Sequence, residues 1–297
     1  MIISASRRTD IPAFYSEWFI NRIKEGFALV RNPRNPHQVR KISLAPDVTR
    51  GIVFWTKNPA NMIKYLPDLS DYAYYFQFTL TSYGRDIEPN LPPKAEELLP
   101  TFKQLSTTIG SNRVIWRYDP ILINEKYTMD YHFYAFEKIG KELSGFTKKV
   151  IISFIDTHYR NVKSNFNALK LKNFEDEQKV EFARKLVEIA DCFGIVCESC
   201  SEKLDLQHLG IKPAHCIDYR LFEELLGCKL RKSKDKNQRP ECGCMPSIDL
   251  GVYNTCLHGC KYCYANYNQG IVARNLGMHN PLSAFLIDDE RGEERRI

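Results

Sequence analysis

The chain has 297 residues, of which 43% are hydrophobic and 12% aromatic, a composition that excludes an intrinsically disordered protein. This length can bury one large α/β core, so we predict a single domain over 1–297 with a cysteine-rich segment at 229–297. The net charge of +6 is only a mild bias towards anionic partners. No apolar run reaches the roughly 18 residues of a membrane span, and the first residues lack a signal peptide's apolar region. We therefore expect a cytoplasmic protein that does not contact membranes.

Short β-rich runs recur along the chain. The predicted strands are IISAS at 2–6, GIVFWTK at 51–57, YYFQFTL at 74–80, RVIWRY at 113–118, KVIISFI at 149–155 and GIVCESC at 194–200. Each run is nearly continuously apolar, as is typical of strands that are covered on both faces.

Amphipathic helical patterns separate these strands. One helix is predicted to start at Pro12 and to carry Trp18, Phe19 and Ile23 on one face. Another is predicted from a stripe formed by Val180, Ala183, Val187 and Ala190. Because strands and helices alternate, the sequence favours an α/β fold with a parallel sheet, either a barrel or an open sheet.

Polar residues follow the predicted strands, in the segments SRRTD, TKNP, TLTSYGRD, RYDP and IDTH. In parallel barrels the loops at these strand ends build the active site. We therefore expect a ligand-binding rim formed by Arg7, Arg8, Asp10, Thr56, Lys57, Asn58, Thr79, Thr81, Arg117, Asp119, Ser153 and Asp156. For any single residue of this rim, the alternative is a helix cap or a salt bridge.

Three cysteines lie close together in CLHGCKYC at 256–263. Thiolates with such spacing let one tight loop bind zinc or an iron–sulfur cluster. Cys256, Cys260 and Cys263 supply three ligands, and His258 is a local candidate for a fourth, although its place between the first two cysteines strains a tetrahedral zinc site. A 4Fe-4S cluster on three cysteines would instead leave one iron open for a substrate or cofactor.

The other seven cysteines also lie at or after Cys192. A candidate second metal site, either an auxiliary 4Fe-4S cluster or a structural zinc, is formed by four of them, at Cys200, Cys216, Cys242 and Cys244. The alternative is that one of these thiols donates a hydrogen atom during catalysis. We expect Cys192, Cys197 and Cys228 to be small buried apolar residues.

CLHGCKYC, with the aromatic Tyr262 before its last cysteine, resembles the CxxxCxxC signature of the radical S-adenosylmethionine superfamily. Four further segments, in the same relative order, resemble the spore photoproduct lyase branch: TKNP at 56–59, FTLT at 78–81, EPNLP at 88–92 and WRYDP at 116–120. The whole chain is similar to an uncharacterised bacterial domain-of-unknown-function family whose cluster motif lies near the C-terminus.

In the superfamily the cysteine loop follows the first barrel strand, whereas here it follows SIDLGVYNT at 247–255. We therefore predict a partial (β/α) TIM-like barrel in which the cluster-bearing strand and loop are permuted to the C-terminus. This strand should then lie beside IISAS.

The resemblance implies an enzyme that binds S-adenosylmethionine at the open iron. After reduction by a donor such as a flavodoxin or ferredoxin, it would cleave this cofactor to a 5′-deoxyadenosyl radical. Tyr262 would line the adenine side. By strand-end position, the cofactor candidates are Thr56, Lys57, Thr79, Thr81, Arg117 and Ser153, and the candidates for the unknown substrate are Arg7, Arg8, Asp10 and Asp119. The superfamily's glycine-rich methionine-binding stretch is not evident here.

A run of basic residues raises a second possible class of function. It comprises Lys229, Arg231, Lys232, Lys234, Lys236 and Arg239. Interleaved polar residues favour a solvated loop, and the alternative is a strip that contacts nucleic-acid phosphates. The competing hypothesis is thus a nucleic-acid-binding or repair-associated protein whose cysteines hold structural zinc or iron–sulfur sites.

Overall fold

The computed structural model describes residues 1–156 and 169–288. Its strands are β1 (Ile2–Ala5), β2 (Phe27–Asn32), β3 (Asn35–Ser43), β4 (Gly51–Thr56), β5 (Ala73–Thr79), β6 (Val114–Ile121), β7 (Lys149–Phe154), β8 (Val196–Ser199), β9 (Lys212–Pro213) and β10 (Ile248–Asp249). Eight of them form a large parallel sheet in the order β10-β1-β4-β5-β6-β7-β8-β9. The other two, β2 and β3, form an antiparallel hairpin.

The predicted α/β class and parallel sheet are confirmed. The strand before the cysteine loop pairs in parallel with β1, with Ile248 opposite Ile3 and Asp249 opposite Ser4, which is the predicted position beside IISAS. Within the described residues, the end strands β9 and β10 are not paired with each other, so a closed barrel is not shown. The partial-barrel geometry stays a prediction.

All six strands predicted from apolar runs are present, with ends that differ from the predicted ones by at most three residues. The seventh, predicted at 247–255, contains only the two paired residues of β10. Strand β3 was not predicted, because most of its residues are polar and exposed and Pro36 lies near its start. The two-residue strand β9 is too short to produce a pattern.

The described helices are α1 (Ile11–Phe14), α2 (Ser16–Glu25), α3 (Ala60–Ile63), α4 (Leu99–Ile109), α5 (Met129–Leu143), α6 (Asp176–Cys192), α7 (Tyr219–Leu226) and α8 (Gln269–Gly277). Single 3₁₀ turns lie at Leu66–Leu69, Ser111–Arg113 and Gln207–Leu209, and a π-helical turn lies at Lys94–Leu98. None of the helices in the described ranges is long and apolar enough to cross a bilayer.

The helix predicted from Pro12 is divided into α1 and α2, because Tyr15 leaves the helical conformation between them. Its apolar face, with Trp18, Phe19 and Ile23, is buried as predicted.

The predicted stripe of α6 is partly wrong. Ala183 and Ala190 are buried, but Phe182 and Leu186 complete the buried face, and Val180 and Val187 are only half-buried. The large side chains of Phe182 and Leu186 bury more apolar area than the two valines, which fixes the rotation of the helix.

The chain divides into two compact units. The first comprises Met1–Tyr74, Ser247–Leu257 and the described residues from Ala265, and the second comprises Tyr75–Pro246 and His258–Tyr264. The prediction of one domain over 1–297 is left as a prediction, and residues 289–297 of its cysteine-rich segment lie outside the described residues. The predicted rim segment IDTH likewise runs into 157–168, beyond the described residues.

Each unit has its own aromatic core. In the first unit, Phe19 packs edge-on against Phe54, with 5.2 Å between the ring centroids. In the second, Trp116 stacks on Phe136 at 4.7 Å. Such ring pairs add to the stability given by burial alone.

His132 of α5 is a buried titratable group in the second core. Its Nδ1 lies 2.8 Å from the Tyr118 hydroxyl, and its Nε2 lies 2.9 Å from the Leu122 carbonyl oxygen. Burial lowers the pKa of His132 to about 4, against the effect of the hydrogen bond to the Leu122 carbonyl, which raises it. The imidazole is therefore neutral at neutral pH.

We expect the free energy of unfolding to fall as the pH drops from 6.5 towards 4. In this range His132 is protonated in the unfolded chain but stays neutral in the folded protein. The contribution of this one group reaches about 3 kcal/mol. Urea unfolding across this pH range should show a shallower slope for His132→Leu than for the parent. The exposed His37→Gln variant is the control and should keep the parent's slope; equal slopes in all three proteins would contradict the prediction.

Candidate functional site

Asp249 joins the two strands that lead into the predicted site. Its carboxylate accepts hydrogen bonds from the Ser4 hydroxyl at 2.9 Å and from the Arg7 N–H at 2.8 Å. It also accepts from the Ser6 hydroxyl and from the Gly251 N–H. One carboxylate thus fixes the loop after β1 to the segment that runs from β10 towards the cysteines.

Gly251 lies against this junction. A Cβ atom at this position would lie 2.0 Å from Ser6 Oγ and 2.6 Å from Ser6 Cβ. The two loops therefore approach too closely for any side chain at position 251.

The base of the cysteine loop is closed by hydrogen bonds in the first unit. The Asn254 N–H donates to the Ala265 carbonyl at 2.9 Å, and the Asn266 amide donates to the Cys256 carbonyl at 2.5 Å. The Tyr15 hydroxyl donates to the Thr255 carbonyl at 2.6 Å. Burial, with a smaller effect from the charge of Cys256, raises the pKa of Tyr15. These bonds hold the start of the loop and leave the side chain of Cys256 half-buried.

The second part of the loop is anchored within the second unit. The Lys261 N–H donates to the Ile87 carbonyl at 3.0 Å, and the Asn90 N–H donates to the His258 carbonyl at 3.3 Å. Gly259 has a φ of +69°, a conformation that favours glycine, and a Cβ there would lie 3.1 Å from Asn90 Nδ2. The backbone between the second and third cysteines turns tightly, because the Cys263 N–H donates to the Cys260 carbonyl at 3.1 Å.

Tyr262 inserts its ring into an apolar cluster with Tyr83, Ile87 and Leu122. Its hydroxyl donates a hydrogen bond to the carboxylate of Glu88. Burial, followed by the charge of Glu88, raises the pKa of Tyr262 well above its ordinary value. The predicted contact of Tyr262 with adenine stays a prediction, and its observed contacts make it an anchor of the loop.

Glu88 is a buried carboxylate that the sequence analysis did not select. Its two oxygens share the hydroxyl of Thr81 as a donor, with Thr81 Oγ1 at 2.9 and 3.0 Å from them, and it forms an ion pair with Lys94. A buried carboxylate is stable only when its oxygens are satisfied in this way. The sequence pointed to Glu88 only through the segment EPNLP at 88–92, which is one of the four segments that carry the family resemblance.

In the first unit, several predicted rim residues form structural contacts. Asp10 caps α1 by accepting from the Ala13 N–H at 3.0 Å, and it also accepts from the Lys57 N–H at 2.7 Å. Thr56 Oγ1 accepts from the Asn58 N–H at 3.0 Å. For Asp10, the helix-cap alternative is therefore observed.

The two arginines after β1 lie over aromatic rings. The Arg7 guanidinium lies 5.1 Å from the centre of Trp55, and that of Arg8 lies 5.3 Å from the centre of Tyr253. Arg8 also donates to the Gly251 carbonyl at 3.3 Å. The structure thus brings Arg7 and Arg8 together around the junction formed by Asp249.

In the second unit, the predicted residues of β6 form a buried ion pair. Arg117 donates to both carboxylate oxygens of Asp119, and also to Gln77 Oε1 at 3.3 Å and to Cys216 Sγ at 3.0 Å. Ser153 Oγ lies 3.5 Å from Asp119. Arg117, Asp119 and Ser153 are therefore neighbours, and the single ligand-binding rim stays a prediction.

Thr79 lies at the end of β5 and is half-buried. Its backbone is opposite Arg117 in the sheet.

The four cysteines of the candidate second site come together. Cys200 Sγ lies 3.3 Å from Cys216 Sγ, and hydrogen bonds link Cys216 to Cys244 and Cys244 to Cys242. The hydrogen bond with Cys244 lowers the pKa of Cys242 to about 6. The hydrogen bond with Cys216 and burial raise the pKa of Cys200. We call these four residues the cysteine quartet.

All ten cysteines lie within the described residues, and none forms a disulfide. Cys197 is buried as predicted, whereas Cys192 and Cys228 are exposed, so the prediction was wrong for these two. Cys192 is the last residue of α6 and lies on its solvent side, where the amphipathic pattern no longer requires burial. Across the described ranges, no group of three or more His, Cys, Asp or Glu side chains has the arrangement of a metal site.

Several side chains of the basic run are engaged within the protein. Arg239 forms an ion pair with Asp156 at 2.8 Å, Lys229 forms one with Glu223 at 3.2 Å, and Lys234 donates to a backbone carbonyl. These local contacts favour the interpretation of a solvated, charged loop.

Comparison with known proteins places the chain in a family. The family model described as "Domain of unknown function (DUF1848)" matches residues 2–265, and the chain therefore belongs to this family. The matched range includes the strand β10 and all three cysteines of the loop. A search of curated proteins finds no match.

We expect Gly251→Ala to lower the free energy of unfolding by about 1–3 kcal/mol, because its Cβ would push against Ser6 in a packed junction. Urea unfolding measures this change. Gly277→Ala is the matched control, since nothing lies within 4 Å of its Cβ, and it should be neutral or stabilising by up to about 1 kcal/mol. Equal effects of the two variants would show that the loops do not approach as described.

We expect Tyr262→Phe to lower the free energy of unfolding by about 1–3 kcal/mol, because it leaves the buried Glu88 carboxylate without one donor. Tyr134→Phe, at a tyrosine that is 59% exposed, should change it by less than about 0.5 kcal/mol. Thermal or urea unfolding of both variants tests the difference. A Tyr262→Phe protein as stable as the parent would contradict an anchoring role for this hydroxyl.

Proposed function

We propose that this protein is a radical S-adenosylmethionine enzyme in which Cys256, Cys260 and Cys263 hold a 4Fe-4S cluster with one open iron. The observation that carries the proposal is the spacing of three cysteines in one loop, which follows a parallel strand paired with β1. In parallel α/β folds, loops in this position build the active site. When bound and reduced, such a cluster supplies the electron that cleaves S-adenosylmethionine to methionine and a 5′-deoxyadenosyl radical.

The donor set of the loop fits this group. Thiolates are the ligands that iron–sulfur clusters use, and all three cysteines are half-buried, which limits access of water and oxidants. A structural zinc site would require a fourth ligand. Three ligands are therefore more consistent with a site that keeps one metal position open.

The residues around the loop hold it in place. Hydrogen bonds at Asn254 and Asn266 fix its base, and the bond from Tyr262 to Glu88 fixes its end. Preorganised loops of this kind place ligands without ordering them at each turnover. Thr81, which we proposed for the cofactor, supports the loop indirectly because it donates to Glu88.

The other predicted site residues keep or change their proposed roles according to the contacts described above. Thr56, Lys57, Thr79 and Ser153 stay our candidates for the methionine and ribose groups of the cofactor. Arg7 and Arg8 stay candidates for the substrate. Asp10, Arg117 and Asp119 have partners within the protein, so we assign them to positioning the strand-end loops. An external flavodoxin or ferredoxin would provide the electron.

The test is anaerobic reconstitution with iron and sulfide, reduction, and chromatographic detection of 5′-deoxyadenosine formed from S-adenosylmethionine. We expect product from the parent and none from Cys256→Ala, because two cysteines cannot hold the cluster. Cys228→Ala removes an exposed cysteine outside the loop and should keep the parent's rate.

Product formation by Cys256→Ala at the parent's rate would remove the assignment. A colourless parent that makes no product, and whose loop binds zinc, would favour the alternative of a nucleic-acid-binding protein. Salt-dependent binding to DNA or RNA would then be the next measurement.

A further inference from the structure

Three separate segments of the second unit bring the cysteine quartet together. Cys200 follows β8, where its N–H donates to the Ile152 carbonyl at 2.8 Å. Cys216 lies in the loop after β9, and Cys242 and Cys244 lie in the loop between α7 and β10. The last two segments are joined by the Met245 N–H, which donates to the Ile217 carbonyl at 3.1 Å.

The spacing of the sulfur atoms distinguishes between kinds of metal centre. With a Zn–S bond of about 2.3 Å, two thiolates on one tetrahedral zinc lie about 3.8 Å apart. Cys200 Sγ and Cys216 Sγ are 3.3 Å apart, and the other two sulfurs continue the same hydrogen-bonded chain. Loss of the thiol protons would let the four sulfurs bind one ion in place of this hydrogen-bonded chain. A 4Fe-4S cluster places four iron atoms between its ligands and requires a much wider opening.

The polar groups around the quartet suit sulfur atoms that carry negative charge. The buried Arg117 donates to Cys216 Sγ at 3.0 Å, and the Ile217 N–H donates to Cys244 Sγ at 3.4 Å. The Cys216 carbonyl is held by Tyr75 and Gln77, at 2.8 and 2.9 Å. Donors to sulfur and a fixed ligand backbone are the outer contacts that orient metal ligands in proteins.

Gly243 lets the two ligands of the CxC segment reach the quartet. A Cβ at position 243 would lie 2.6 Å from two atoms of the His215 ring. The Gly243 carbonyl also contacts His215 Nδ1. The CxC segment is therefore packed directly against the residue that precedes Cys216.

The loop that carries Cys242 and Cys244 needs a source of stability. Between α7 and β10 the described chain has no helix or strand, and most of this stretch is polar and exposed. Loops of this length inside a compact unit are uncommon without a functional or stabilising reason. Cross-linking by a metal provides folding free energy that such a loop cannot obtain from apolar burial.

We propose that Cys200, Cys216, Cys242 and Cys244 bind one zinc ion as a structural tetrathiolate site. The site is separate from the cysteine loop at 256–263 and does not depend on the function proposed for that loop. Its role is to fix the loop between α7 and β10 to the ends of β8 and β9.

The experiment uses the full chain carrying Cys256→Ser, Cys260→Ser and Cys263→Ser, so that the cysteine loop contributes no thiolates. Elemental analysis of the purified protein should find one zinc ion per chain and no acid-labile sulfide. Replacement of zinc by Co²⁺ should give the absorption bands of a tetrahedral cobalt tetrathiolate. This readout requires no enzymatic activity, so its outcome is independent of the radical chemistry.

Addition of Cys216→Ser or Cys244→Ser should remove most of the zinc and the cobalt bands. Cys197→Ser is the matched control, since Cys197 is a buried cysteine of β8 outside the quartet, and it should keep both. If the ligand variants fail to fold, the cobalt spectrum of the protein with an intact quartet decides the question alone.

Four results would overturn the proposal. They are a folded protein that binds neither zinc nor cobalt, iron with sulfide bound at the quartet, zinc content unaffected by Cys216→Ser and Cys244→Ser, and a Cys200–Cys216 disulfide in freshly purified protein. One zinc ion that is lost only with the quartet cysteines would establish the site.

Discussion

The first unit depends on the carboxylate of Asp249. It accepts hydrogen bonds from Ser4, Ser6 and the Arg7 N–H, which lie about 245 residues away along the chain. Because the carboxylate carries a formal charge and is fully engaged, replacing it would leave several donors without an acceptor. This contact lies within the pairing of β10 with β1, where Asp249 is opposite Ser4, and it connects that pairing to the loop after β1.

Polar residues at the strand ends form more hydrogen bonds and ion pairs with one another than the sequence suggested. Glu88 is satisfied by Thr81, Lys94 and Tyr262, and Arg117 is satisfied by Asp119, Gln77 and Cys216. Such networks are costly unless every group has a partner, and they become rigid when every group does. A rigid rim is what a site that directs a reactive species to one substrate atom requires.

The sequence predicted the sheet well because buried parallel strands are apolar runs with little ambiguity. It also predicted that SIDLGVYNT would lie beside IISAS and that Cys200, Cys216, Cys242 and Cys244 belong together. It could not predict Glu88 or Asp249, since the partners that make these carboxylates important come together only in the fold. The hairpin of β2 and β3 was missed for a related reason: β3 is mostly polar and exposed, and its pairing with β2 defines it as a strand. The Asp10 side chain caps α1 and also accepts a hydrogen bond from the Lys57 N–H, just after β4. Its position in the sequence alone does not distinguish these two roles.

The distance along the chain between β1 and β10 has a consequence for biogenesis. A ribosome releases β1 early, and its edge next to β10 stays exposed until more than 240 further residues have been made. Contacts between such distant residues form late in folding, because closing so long a loop costs entropy. The cysteine loop, which follows β10, would then be completed after most of the sheet, so that its side chains come together only in a nearly folded protein.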